Sequence, residues 1–141
     1  MQSALEKVRI FHQAIGAPIG AVGQFLPTSR FAVEQAVQLR NMVLQCRQHA
    51  ITANDLLARL ALDLEELAEW VEAHVDQDFR SVTDALGDRL YVLLGDAVAV
   101  GCPLEEVFEA VHTSNMTKVR DGVDACGKAL KGAGYQSPRL D

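Results

Sequence analysis

The sequence has few cysteines, few aromatic residues and no long apolar run. Its three cysteines, Cys46, Cys102 and Cys126, are odd in number and widely spaced, so they predict neither a disulfide framework nor a zinc site. No apolar run is long enough to span a bilayer, and the N-terminal MQSALEKVRI lacks the charged-then-apolar layout of a signal peptide. We therefore expect a protein of the reducing cytoplasm.

Basic residues are also scarce. The net charge of −6 argues against general nucleic-acid binding. Residues 55–109 carry fourteen acidic and three basic residues, whereas residues 116–141 carry five basic and three acidic ones. An acidic middle followed by a basic, glycine-rich tail suggests a metal site beside an anion clamp. A flexible terminus is the alternative interpretation of the tail.

The apolar residues recur at helical spacing, and no strand pattern or internal repeat occurs. A chain of 141 residues is long enough to bury one core. We therefore predict a single all-α domain over residues 1–141, a bundle of about five helices completed by a second chain. The predicted helices span residues 3–15, 29–48, 55–76, 81–100 and 103–115.

Residues that favour helix ends support these bounds. Gly16 and Gly101 are helix stops, and Pro103 suits a first helical turn. Ser81 and Asp84 resemble a capping box. The expected N-caps are Thr28 or Ser29 for the second helix and Thr52 or Asn54 for the third.

Two helices carry acids that can converge. Glu65, Glu66 and Glu69 share one side of the third helix, and Asp84 and Asp88 lie four apart on the fourth. If these helices pack antiparallel, the five carboxylates meet, which is costly unless a cation is present. A hard divalent ion that takes oxygen ligands is the obvious candidate.

Each acid also has a simpler interpretation. An EExxE run is usually a solvated helix face, and Asp84 is equally well explained as a cap. Asp88 is the stronger candidate of its pair because it lies within the mostly apolar run 85–100. Asp96, near the end of that run, is expected to be solvated.

Five segments, taken in order, resemble MazG-like and phosphoribosyl-ATP pyrophosphohydrolase-like proteins of the all-α NTP pyrophosphatase superfamily. The resemblance covers most of residues 55–138 and a patch near residue 11, and it is weak over 17–54. The segments are FHQAIG at 11–16, EELAE at 65–69, DALGDRLYVLLG at 84–95, VFEAVHTSNMTK at 107–118 and GKALKGAGYQSP at 127–138.

The resemblance implies a helical fold with an acidic Mg²⁺ site, for which Mn²⁺ is an alternative ion. It implies hydrolysis of nucleoside triphosphates between the α and β phosphates, which in many members clears unwanted nucleotides and in some acts on dUTP. It also implies a homodimer or larger assembly. Glu65, Glu66 and Glu69 match the family's EExxE, and Asp88 matches the aspartate of its ExxD. Ala85 stands where many relatives have glutamate.

Two further positions affect this assignment of residues from the family's motifs. Asp84, four residues before Asp88, lies on nearly the same face as the missing glutamate, so the number of metal ions is open. Cys126 stands where some relatives have aspartate.

The chemistry assigns roles to single residues. Glu66 is the preferred proton acceptor for an attacking water, ahead of Glu65. Simple solvation is the alternative for each tail lysine. The residues expected to contact substrate are Lys118, Lys128 and Lys131 at the phosphates, and Asn115 and Tyr135 at sugar, base or phosphate.

Two rival functions belong to other classes. Glu109 and His112 form an ExxH, the pattern of di-iron bundles, but such bundles need two copies and two further glutamates. The second rival is a non-catalytic helical interaction module that has kept the fold, which the alanine at position 85 would suit.

Overall fold

The computed structural model describes residues 2–20, 22–51 and 55–140. Over these ranges the regular secondary structure is entirely helical, without a strand, and Val123 and Ala129 form only an isolated antiparallel bridge. The all-α prediction is confirmed, and each helix lies within two residues of its predicted bounds. The helices are α1 (Gln2–Ile15), α2 (Arg30–Ala50), α3 (Asp55–Val75), α4 (Phe79–Val100) and α5 (Leu104–Met116).

The helices fall into two compact units, of which one contains α2, α3 and α4. Helix α3 is central because it contacts both α2 and α4. Val43 and Cys46 of α2 pack against Ala61 and Leu64 of α3, and all four are buried. Burial of these apolar side chains holds α2 and α3 together as an antiparallel pair.

The start of α4 corrects one prediction. Asp78 is the N-cap: its side chain accepts hydrogen bonds from the backbone N–H of Arg80 at 3.0 Å and of Ser81 at 3.3 Å. The Ser81 hydroxyl donates to the same carboxylate at 2.7 Å. The proposed capping box of Ser81 and Asp84 is therefore wrong, because the helix has already begun at Phe79.

The other helix ends agree more closely with the sequence. Gly16 and Gly101 adopt positive φ angles of 70° and 68° just after α1 and α4, as expected of helix stops. Ser29 is the N-cap residue of α2, although its side chain makes no capping hydrogen bond. Pro103 is the N-cap residue of α5 and so lies one position before the first turn. The predicted caps Thr52 and Asn54 lie outside the described residues.

The other unit contains α1, α5 and the segment that follows α5. Helix α1 contacts α5, and Lys7 forms an ion pair with Glu109 between them. The segment after α5 consists of turns, with positive φ at Gly122 and Gly127. No helix among the described residues is long and apolar enough to cross a membrane.

Candidate active site

The acids of the EELAE stretch divide between two environments. Glu65 and Glu69 lie one turn apart on α3 and face arginines of α2. The pKa of Glu66 instead is raised by burial and then by the charges of Glu69, of Asp88 on α4 and of Glu65. We call Glu65, Glu66, Glu69 and Asp88 the acidic face.

Arg40 of α2 contacts three carboxylates of α3 at once. Its Nε and Nη2 donate to the two oxygens of Glu72 at 3.0 and 2.6 Å, and Nη1 lies 3.5 Å from Glu69 and 4.0 Å from Glu65. These hydrogen bonds to Glu72 are the main reason that the pKa of Arg40 is raised. Arg47, two turns further along α2, pairs with Glu65.

Among the residues that the structure describes, no cation forms an ion pair with Glu66. Its Oε2 atom is buried, with no hydrogen-bond partner among the described residues. Burial raises the pKa of Glu66, and repulsion from Glu69, Asp88 and Glu65 raises it further, against a smaller opposing effect of Arg40. The structure therefore contains an unsatisfied carboxylate oxygen, Oε2 of Glu66, among the acids of the acidic face.

Helix α4 presents its acids differently. Asp84 and Asp88 are both exposed, whereas Ala85 between them is only 2% exposed. Asp84 and Glu69 line opposite walls of an acidic cleft of about 290 Å³ between α3 and α4. Position 85, where the sequence resemblance expects glutamate, is thus a buried alanine, and Asp84 shares this cleft with Glu69.

The carboxylates do not form a ready-made metal cage. Among the residues that the structure describes, no group of three or more histidine, cysteine, aspartate or glutamate side chains is arranged to hold a metal ion. The arginines of α2 occupy part of the acidic surface instead. Sequence reasoning missed both arginines, although their seven-residue spacing places them on one face of α2.

A second charged cluster joins the other ends of α3 and α4. Arg59 donates from Nε to Asp96 and from Nη2 to the Val92 carbonyl at 2.6 Å. Burial raises the pKa of Asp63, and the charge of Asp96 and a hydrogen bond with it act in the same direction. Asp96 is therefore engaged rather than freely solvated, contrary to the expectation from the sequence.

Next to this cluster lies an apolar cleft of about 340 Å³. Asp63 and Arg89 are its charged wall residues. The guanidinium of Arg89 also lies 5.2 Å from the ring centroid of Trp70. The remaining walls are leucines: Leu67, Leu86, Leu90 and Leu93.

Four of the five predicted substrate residues come together at the end of α5 and in the segment that follows it. The Lys118 ammonium donates to the Asn115 side-chain oxygen at 2.6 Å and lies 5.5 Å from the Tyr135 ring centroid. Lys131 lies 4.7 Å from the same ring. A hydrogen bond with Ser137 lowers the pKa of the Tyr135 hydroxyl, and Lys131 contributes to the shift. Two ammonium groups at one phenol ring give this cluster a positive character.

The fifth residue, Lys128, belongs to a neighbouring turn. Its backbone N–H donates to the Asp124 side chain at 2.9 Å, and its carbonyl accepts from the Asp124 N–H. Its side chain is exposed. The structure gives Lys128 a backbone role in the turn and places no contact between it and Tyr135.

The ExxH pattern on α5 is not assembled as a metal site. Glu109 pairs with Lys7, and the His112 ring stacks on Phe108 with centroids 6.2 Å apart. These contacts give both side chains a structural role.

Comparison with known proteins identifies the family. The model of the phosphoribosyl-ATP pyrophosphohydrolase family matches residues 32–115, which is more than half of the chain. The match includes all the predicted metal-site acids and ends at Asn115. It begins within the stretch where the sequence resemblance was weak. Searches of curated proteins and of solved structures found no match.

Proposed function

The chain belongs to the phosphoribosyl-ATP pyrophosphohydrolase family, within the MazG-like all-α NTP pyrophosphatase superfamily, and on that basis we propose a specific reaction. Family membership makes the protein a hydrolase acting on phosphoric anhydrides. The proposed reaction is Mg²⁺-dependent hydrolysis of a nucleoside triphosphate or deoxynucleoside triphosphate to its monophosphate and pyrophosphate. The proposed role is removal of unwanted nucleotides in the cytoplasm, with dUTP among the candidate substrates.

The observation that best supports this proposal is the buried, unpartnered Oε2 atom of Glu66. A carboxylate in this state, with its pKa raised by burial and then by three neighbouring acids, is a site that lacks positive charge. Oxygen donors of this kind suit Mg²⁺, and Mn²⁺ is the alternative. The oxygen donors of these residues therefore suit a divalent ion, although the described side chains are not already arranged as a metal site.

We assign the metal ligands to the acidic face, Glu65, Glu66, Glu69 and Asp88, with Asp84 at its edge. A bound divalent ion neutralises phosphate charge and lowers the pKa of a water molecule. Glu66 is the proposed proton acceptor, because burial and neighbouring acids raise its basicity. The charge of Arg40 opposes this increase with a smaller effect.

The positive cluster after α5 is the proposed phosphate and nucleoside contact. Lys118 and Lys131 supply ammonium groups, and the Tyr135 hydroxyl and Asn115 amide supply hydrogen bonds to phosphate, sugar or base. Lys128 is a weaker candidate, since its backbone hydrogen bonds with Asp124 are those of a turn.

The decisive experiment resolves the products of single nucleotides. Canonical and modified NTPs and dNTPs, dUTP and phosphoribosyl-ATP are incubated with Mg²⁺, and monophosphate plus pyrophosphate is separated from diphosphate plus phosphate. Glu69→Gln and Asp88→Asn should abolish turnover with the fold intact, and Glu105→Gln, an exposed acid of α5, is the control. Wild-type activity in the first two variants would contradict the site.

A non-catalytic interaction module is the second candidate, and the buried Ala85 favours it by removing one carboxylate. It predicts no pyrophosphate from any nucleotide in the same screen. Mg²⁺ or Mn²⁺ should still raise the melting temperature if the acidic face binds the ion. An unchanged melting temperature would count against the metal site itself.

A further inference from the structure

A guanidinium group already lies beside two of the proposed metal ligands. Arg40 uses Nε and Nη2 for the two oxygens of Glu72. Its third nitrogen, Nη1, lies 3.5 Å from Oε1 of Glu69 and 4.0 Å from Oε1 of Glu65. Glu69 and Glu65 belong to the acidic face, whereas Glu72 does not.

The two groups of contacts differ in kind. The pairing of Arg40 with Glu72 is bidentate and charge-assisted, and such pairs are directional and strong. The contacts of Nη1 are longer and mainly electrostatic. Glu69 and Glu65 can therefore turn away from Nη1 while Arg40 remains held by Glu72.

We propose that Arg40, anchored by Glu72, is the built-in counter-cation of the acidic face and that its Nη1 competes with a divalent metal ion for Glu69 and Glu65. The inference rests on the metal binding proposed above. Arg40 is then a positioning residue, which holds two ligands in place without the ion and releases them when the ion binds.

Arg47 provides a matched comparison on the same helix. It carries the same charge and contacts Glu65, whereas the described arginine that lies beside Glu69 is Arg40. Replacing either arginine with glutamine changes the net charge of the surface equally. Competition for Glu69 predicts a larger effect at Arg40, whereas a simple change in net charge predicts similar effects.

The test measures Mn²⁺ binding to the full chain by calorimetry, without nucleotide. Arg40→Gln should bind Mn²⁺ about tenfold more tightly than wild type, since a competing charge a few ångströms away is removed. Arg47→Gln should gain only about threefold, since Arg47 contacts one proposed ligand, Glu65, whereas Arg40 lies beside both Glu65 and Glu69. The double variant Arg40→Gln, Glu72→Gln leaves the net charge unchanged, and it too should bind more tightly than wild type.

Each alternative outcome has a distinct meaning. Wild-type affinity in the double variant, or equal gains for the two arginine variants, would overturn the competition. Partial unfolding weakens metal binding, so it cannot imitate the expected gain, and circular dichroism monitors the fold. If no form binds Mn²⁺, the metal site and this inference fall together; if all forms bind it equally, this inference alone falls.

Discussion

Arg59 and Gly95 lie so close across the α3–α4 contact that a Cβ atom at Gly95 would be 2.7 Å from Nη2 of Arg59. The same Nη2 donates to the Val92 carbonyl at 2.6 Å, while Nε donates to Asp96. The missing side chain at position 95 therefore gives Arg59 room to join α3 to α4 at two points.

We expect Gly95→Ala to lower the free energy of unfolding by about 1 kcal/mol. Displacing Arg59 costs charge-assisted hydrogen bonds worth about 1.5–3 kcal/mol, which exceeds the helix-propensity gain of about 1 kcal/mol. Urea denaturation measures the change. Gly87→Ala is the control on the same helix, because a Cβ there meets open space, and it should stabilise the protein by about 0.5–1 kcal/mol. Equal stabilisation by both variants would contradict the close contact.

The second prediction concerns the cap of α4. The hydrogen bonds with Ser81 hold the pKa of Asp78 below its ordinary value. This contribution to stability is fully present above the ordinary aspartate pKa of about 3.9 and is lost as the pH falls through the lowered value. Asp78→Ala should therefore lower the melting temperature at neutral pH and have little effect in strong acid. Asp78→Asn, which keeps an accepting oxygen, should lower the melting temperature less than Asp78→Ala at neutral pH. An equal decrease in both variants would argue against capping.

The helices could be predicted because their signals are local. Apolar residues at helical spacing and the stops at Gly16 and Gly101 depend on neighbouring residues alone. The cap of α4 was misplaced because two aspartates, Asp78 and Asp84, flank Ser81 at suitable distances. The choice between them depends on how the chain leaves α3, where Gln77 adopts a positive φ of 55°.

The acidic face was predictable only in part. The positions of Glu65 and Glu69 on one side of α3 follow from helical geometry. Their pairing with Arg40 and Arg47 depends on the antiparallel register of α2 against α3, which the spacing within either helix does not determine. The engagement of Asp96 with Arg59 depends in the same way on the register of α4.

The third prediction is assembly as a homodimer or a larger homo-oligomer. Helix α2 leaves Phe31, Val37 and Leu44 more than half exposed, and covering such apolar surface favours association. Light scattering at micromolar concentration should give at least twice the monomer mass, and Leu44→Lys should reduce it. Val22→Lys, at a fully exposed position before α2, is the control. A wild-type protein that is only monomeric would contradict the prediction.

The last prediction concerns Glu66 and separates stability from activity. Burial, then repulsion from neighbouring acids, raises the pKa of Glu66, so folding disfavours its ionised form. This cost is absent at low pH, where the carboxyl is protonated in both states, and it develops as the pH rises through the raised pKa. Glu66→Gln removes the unpaired charge and should stabilise the metal-free protein by about 1 kcal/mol at neutral pH, while turnover is lost.

The pH dependence of stability tests whether the stabilisation by Glu66→Gln comes from removing the charge of Glu66. The gain in melting temperature of Glu66→Gln over wild type should shrink as the pH is lowered and Glu66 becomes protonated. Glu105→Gln, in the exposed first turn of α5, should show no gain at any pH, since an acid there is favourable to the helix. Thermal denaturation across the pH range checks both variants. A Glu66→Gln protein less stable than wild type at neutral pH would show that this carboxylate already has a stabilising partner in the metal-free protein.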